Sequence, residues 1–274
     1  MLDMPEYAAA VLDPLRTVVA EALATAAGLQ PDDLMIVGAH CRDIIHTALG
    51  HRFVTPATRD LDLAIALRDW GSYQQIADSF PKVGSNGICY RIAGRPVDLL
   101  AFGAIEDPVG TVTPPHRGSP MSVWAFDEIY AAANQLRLSD EIAIRMPDIP
   151  GYAAAKLGAW LDRSEFHETK DARDIALALY WYAESPSVQD RLYESEDGIA
   201  ALIAEDTDVP RAAARLLGQD IAKMIGALRL AELLARWPGN INLLVDNLKT
   251  SNNEAQTERR YELVRALSDG LTTT

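Results

Sequence analysis

Ala57-Thr58-Arg59-Asp60-Leu61-Asp62-Leu63-Ala64-Ile65 sets an Asp-x-Asp inside an apolar run, and the reading of this stretch decides the fold of the N-terminal half. Apolar residues at alternate positions predict a strand. Leu61, Leu63 and Ile65 then point into a core, while Asp60 and Asp62 share the opposite face at a spacing of roughly 6.5–7 Å. Two carboxylates this close repel, and a divalent cation removes that cost. Hard oxygen donors suit Mg²⁺, which takes one or two carboxylates and completes its shell with substrate phosphates and water. An exposed edge strand with two solvated acids would show the same triplet, so the flanking sequence has to decide.

Upstream, residues 34–37 (Leu-Met-Ile-Val) read as a short buried strand running into Gly38-Ala39, followed by a helix over 41–49 closed by Gly50. Residues 5–29 have helical apolar spacing, with a break or fresh start expected at Pro14. Downstream, a helix is predicted near 70–80 and two strands at 88–92 and 96–102, separated by a Gly94-Arg95 turn. The order α-β-α-β-α-β-β predicts a mixed sheet covered by helices. Residues 105–121, rich in Pro and Gly, read as a loop or linker. Glu141-Ile-Ala-Ile-Arg-Met alternates like a strand; 151–163 and 169–184 read as helices. Everything beyond Pro186 looks helical, including 209–237 and 254–267. The expected class is α+β, with a sheet-containing part over residues 1–148 and a helical part over 149–274.

With 274 residues and 49% hydrophobic content, the chain is long enough for one large domain or two small ones with their own cores. The longest apolar segments fall far short of the roughly 20 residues of a membrane span. The acidic start lacks a basic signal-peptide region, so cytoplasmic residence without membrane attachment is expected. Cys41 and Cys89 are too few for a disulfide framework and read as reduced thiols. A net charge of −14 argues against a surface built for nonspecific nucleic-acid binding, although a local basic cleft stays compatible with it.

Gly38-Ala39 between a buried strand and a helix places exposed backbone N–H groups where an anion can sit. Val97-Asp98-Leu99-Leu100 supplies a third acid among apolar residues, an expensive placement unless the acid is paired or on a metal. Taken in order, Gly38-Ala-x-x-Arg42-Asp43, Thr58-Arg59-Asp60-Leu61-Asp62 and an isolated Asp98 in a strand resemble the DNA-polymerase-β-type nucleotidyltransferase superfamily, most closely its AbiEii/MenT-type toxin enzymes. The further signature of those enzymes, a Lys on a helix followed by a Lys-Asp-x-x-Asp segment, is matched by Lys156 and by Lys170-Asp171-Ala-Arg-Asp174. The likeness covers about residues 34–184. Members usually carry Gly-Gly or Gly-Ser at the turn, whereas Ala39 and His40 stand here, leaving backbone amides for the phosphates.

The resemblance implies a polymerase-β-like sheet domain and a helical C-terminal domain that completes an active-site cleft. It implies an enzyme that uses Mg²⁺, with two ions about 3.5–4 Å apart, to move an NMP from an NTP to an acceptor. Asp60 and Asp62 would bridge the metals, and Asp98 would complete the nucleophile-side site and help remove the acceptor's proton. Lys156 would hold the β- and γ-phosphates. Asp171 would be a further catalytic acid, and Gly38, Ala39, Arg59 and Asp174 would join Lys156 around the nucleotide. The toxin likeness implies an RNA acceptor such as the 3′ end of tRNA, and an antitoxin partner. Transfer to a protein or to a small molecule such as an antibiotic, and a catalytically silent nucleotide-binding module, are the alternatives. Asp171 and Asp174, one helical turn apart, would also fit a surface salt-bridge ladder. Arg42 and Asp43 read as a pair bracing the turn. The five histidines, His40, His46, His51, His116 and His167, show no metal spacing, and Trp160, Tyr180, Trp181 and Tyr182 read as packing residues of the C-terminal part.

Overall fold

The computed structural model describes residues 9–58, 60–164, 170–237, 241–248 and 257–273; Arg59, His167, Thr169 and the outer ends of the first and last predicted helices, 5–8 and 254–256, lie outside the described residues. The chain forms two compact units, Met1–Asp148 and Ile149–Thr274. Among the described residues no helix is long and apolar enough to cross a membrane.

The first unit opens with α1 (Ala9–Thr25), which runs unbroken through Pro14. That corrects the expected break. Pro14 is the sixth residue of the helix as described, past the first turn, so it removes one i to i−4 hydrogen bond without ending the helix. A 3₁₀ turn (Pro31–Asp33) leads into β1 (Leu34–Val37), then come α2 (Gly38–Ala48), β2 (Leu61–Leu67) and α3 (Gly71–Ser79). β3 (Cys89–Ile92) and β4 (Arg95–Gly103) form a hairpin whose turn residues, Ala93 and Gly94, both have positive φ, as a two-residue turn between twisted strands requires. The segment over 105–121 is no free linker: it carries β5 (Thr111–Val112), which pairs antiparallel with β6 (Met121–Ser122). α4 (Phe126–Ala132) and the hairpin of β7 (Asn134–Arg137) and β8 (Ala143–Met146) complete the unit. α4 and β7 are too short for a clear periodic signal.

Six strands make one mixed sheet in the order β3-β4-β2-β1-β8-β7. β1 is antiparallel to β2 and parallel to β8, and β2 is parallel to β4. All four residues of β1 are buried, so both faces of the sheet centre are covered. Leu61, Leu63 and Ile65 of β2 and Val97, Leu99 and Ala101 of β4 are buried on one face, as the alternation predicted. On β8, next to the β7 edge, Arg145 forms a two-pronged ion pair with Asp32, with nitrogen–oxygen distances of 2.7 and 3.0 Å.

The second unit is helical among its described residues: α5 (Ile149–Arg163), α6 (Lys170–Glu184), α7 (Pro186–Glu194), α8 (Glu196–Ala204), α9 (Val209–Arg236), α10 (Asn242–Asn247) and α11 (Thr257–Thr272). Trp160, Trp181 and Tyr182 are buried in its core, whereas Tyr180 is exposed. α9 bends at Gly226, where φ is +72°.

Candidate functional site

Asp62 lies on β2, but Asp60 precedes the strand by one residue and is exposed, which corrects the expectation of two acids on one strand. Thr58 Oγ1 donates to the Asp60 carboxylate at 3.0 Å and to its backbone carbonyl at 3.2 Å. Asp62 instead finds its neighbour across the sheet. The parallel pairing of β2 and β4 sets Asp62 beside Asp98, and register partners share a face. On the same row β1 contributes Val37 opposite Asp62, and β3 contributes Cys89 opposite Asp98. Two acids therefore stand side by side, on strands about 4.8 Å apart, near the ends of four strands.

Gly38 opens α2 with φ at +64°, the left-handed region that favours glycine. An added Cβ there would lie 1.9 Å from Asp62 Oδ2, so the carboxylate rests directly on the bare glycine. Val37, the N-cap of α2, offers no side-chain hydrogen bond to the first turn. An anion at that end is favoured by the partial positive charge of the helix N-terminus. This is the physical use of the strand-Gly-helix motif: Gly38 admits an acid to the start of α2. Farther along α2, Arg42 pairs with Asp43 at 2.9 Å and donates to the Pro56 carbonyl at 2.5 Å, while Thr55 donates to Asp43 at 2.8 Å. The pair ties the loop that leads to Asp60.

The Asp98 carboxylate is held by Asn86, whose Nδ2 lies 3.2 and 3.4 Å from its two oxygens. Burial, then a hydrogen bond to Asp98 and the charges of Asp98 and Asp60, push the Cys89 thiol up to about 12. Cys89 is therefore a neutral thiol beside the acids, and both cysteines are buried and outside any disulfide. Burial also lowers the pKa of His40, against the opposing pull of Asp43 and the Asp60 carbonyl, keeping a neutral ring beside the acid-bearing loop.

Among the described residues no three His, Cys, Asp or Glu side chains already converge on one point suited to a metal ion. The donors nevertheless fit a hard divalent cation. Asp62 and Asp98 are adjacent carboxylates on one face, the glycine cradle leaves room where any other residue would fill it, and Asp60 lies two residues upstream.

In the second unit Lys156 Nζ lies 2.6 Å from Asp174 Oδ2 and 3.4 Å from Asp171 Oδ1, and Arg163 reaches Asp171 at 3.0 Å. Lys156, Asp171 and Asp174 of the Lys and Lys-Asp-x-x-Asp pattern are thus brought together by the packing of α5 on α6. Asp171 is 0% and Asp174 8% exposed at the side chain, so the surface-ladder reading is overturned. Two formal cations balance two formal anions, and the Tyr152 ring lies 5.5 Å from the ammonium. Lys156 is a half-buried, partnered cation rather than a bare one.

Asn86 was missed in the sequence. Asn86-Gly87 is a turn signal, but nothing local says which acid its amide will face. No protein-family model matches the chain, and no curated protein matches it.

Proposed function

We propose that the protein is a Mg²⁺-dependent nucleotidyltransferase that moves an NMP from an NTP to a hydroxyl acceptor. The acceptor oxygen bonds to the α-phosphorus, the bond to pyrophosphate breaks, and the acceptor's proton leaves. The observation that carries this reading is the register that sets Asp62 beside Asp98 next to the Gly38 cradle. Asp62 and Asp98, with Asp60, would hold the metal, which when bound would neutralise phosphate charge and acidify the acceptor hydroxyl. Asp98, on the strand beside that of Asp62, would take the acceptor proton. Gly38 and Ala39 offer the first amides of α2 to a phosphate.

The likeness to toxin enzymes supports RNA, such as the 3′ end of tRNA, as the acceptor and an antitoxin as the partner. The net charge of −14 favours the rival reading, a small cationic acceptor. One assay separates them. The protein is incubated with each α-labelled NTP, Mg²⁺ and either total RNA or a small-molecule extract. Labelled RNA that disappears with chelator, and with Asp62→Ala or Asp98→Ala, is the expected result. Undiminished labelling by either variant would overturn the proposal.

A further inference from the structure

Asn86 sits in the turn ahead of β3, and its side-chain oxygen accepts the backbone N–H groups of Ile88 at 3.1 Å and Cys89 at 3.0 Å. With the oxygen committed there, the amide nitrogen is turned to Asp98, where it donates to both carboxylate oxygens. The opposite amide orientation would set donors against two N–H groups and a carbonyl against an anion, so the backbone fixes which end faces the acid.

The turn is itself braced. Arg117 Nη1 donates to the Asn86 carbonyl at 2.9 Å, and Tyr90 Oη pairs with His116 Nδ1 at 2.8 Å. At Gly87, where φ is +76°, an added Cβ would lie 2.5 Å from Arg117 Cα and 2.8 Å from the His116 carbonyl. The Pro- and Gly-rich segment thus seats residues 116 and 117 on the turn that presents Asn86.

We infer that Asn86 is a positioning residue for Asp98: it holds the carboxylate in one orientation on the face it shares with Asp62, before a cation arrives. The choice of residue matters. A Lys or Arg would orient the carboxylate equally well but cancel its charge, whereas a neutral amide leaves that charge for the metal. The inference rests on the reading of Asp98 as a metal ligand proposed above.

The test uses the full chain, with Mn²⁺ binding by calorimetry as the readout that needs no turnover and NMP transfer as the second. Asn86→Ser retains an oxygen for the two backbone amides, as Ser forms the related turn, but is too short to reach Asp98. Asn86→Ala loses both. Positioning predicts that Asn86→Ser and Asn86→Ala weaken Mn²⁺ binding alike, by about 10–100-fold, with Asn86→Ser melting near the unchanged chain. In an Asp98→Asn background the effect of Asn86→Ser should vanish. An Asn86→Ser chain that binds Mn²⁺ and transfers NMP like the unchanged chain, while Asp98→Asn measurably weakens both, overturns the inference and leaves the proposed function standing. A loss of equal size in both backgrounds also overturns it, since that effect would not pass through Asp98. Failure of the unchanged chain to bind Mn²⁺, or an Asp98→Asn chain that binds it undiminished, overturns the reading on which the inference rests.

Discussion

At Gly38 a single missing methyl group decides where an acid can sit. Gly38→Ala puts a Cβ 1.9 Å from Asp62 Oδ2 and forces an L residue to a φ of +64°. The backbone cost is about 1–2 kcal/mol, small enough for the first unit to stay folded, but the carboxylate must move. Transfer activity is therefore expected to fall to background in a chain whose urea denaturation shifts only modestly; full activity would show that the cradle is not needed. Lys156 makes the opposite kind of prediction. Lys156→Met leaves Asp174 and Asp171 buried without their ammonium, and breaking such a pair costs about 3–5 kcal/mol. Adding Asp174→Asn should recover much of that loss, because an amide needs no counter-charge while Asp171 keeps Arg163. Urea midpoints of the two single variants and the double give the coupling, and simple additivity would mean that the ion pair is not what holds α5 on α6. Loss of activity in a Lys156 variant reports on catalysis only once that stability effect is subtracted.

Helix α2 carries two histidines whose pKa values are depressed chiefly by burial, His40 and His46. His46 is 5% exposed, and its Nε2 lies 3.0 Å from the Phe53 carbonyl. The unfolded chain protonates both near their ordinary value of 6.5, while the folded chain resists until lower pH. The unfolded state therefore binds more protons in that window, so stability is complete above it and falls as pH drops below 6.5. Asp197, held down to about 2 chiefly by Arg191, and Asp208, lowered chiefly by Arg259, add a second loss below their ordinary 3.8. Urea midpoints between pH 5 and 8 should thus slope upward, and His46→Gln should flatten the slope; an unchanged slope would remove His46 from the account. At this scale the periodic elements were legible in advance: β1, β2, α3, the β3-β4 hairpin and the long helices follow apolar spacing. α4 and β7 were not, since seven and four residues carry too little periodicity. Asp60 fell one residue outside its strand because alternation does not mark where pairing stops.

On the scale of the whole chain, the division between Asp148 and Ile149 predicts that each piece folds alone. Residues 1–148 contain Asp60, Asp62, Asp98, Asn86 and Arg117 and should bind Mn²⁺ without the helical unit; residues 149–274 should give one cooperative helical melt by circular dichroism. A fragment that stays unfolded would show that its core is not its own. The change in pattern from alternation to helical spacing already placed this division in the sequence, and the residue types already spelled out hard carboxylate donors and a Lys-plus-acids signature. Such features are local, because strand and helix periods depend only on near neighbours along the chain. What tertiary structure decided is everything set by closure through space. The β2-β4 register puts Asp98 beside Asp62, the packing of α5 on α6 turns Asp171 and Asp174 from surface acids into buried partners of Lys156, and the Pro- and Gly-rich segment comes back to brace Asn86. Each of these joins residues far apart in sequence through a hydrogen bond, an ion pair or a pairing register, and no such contact leaves a period in the chain that makes it.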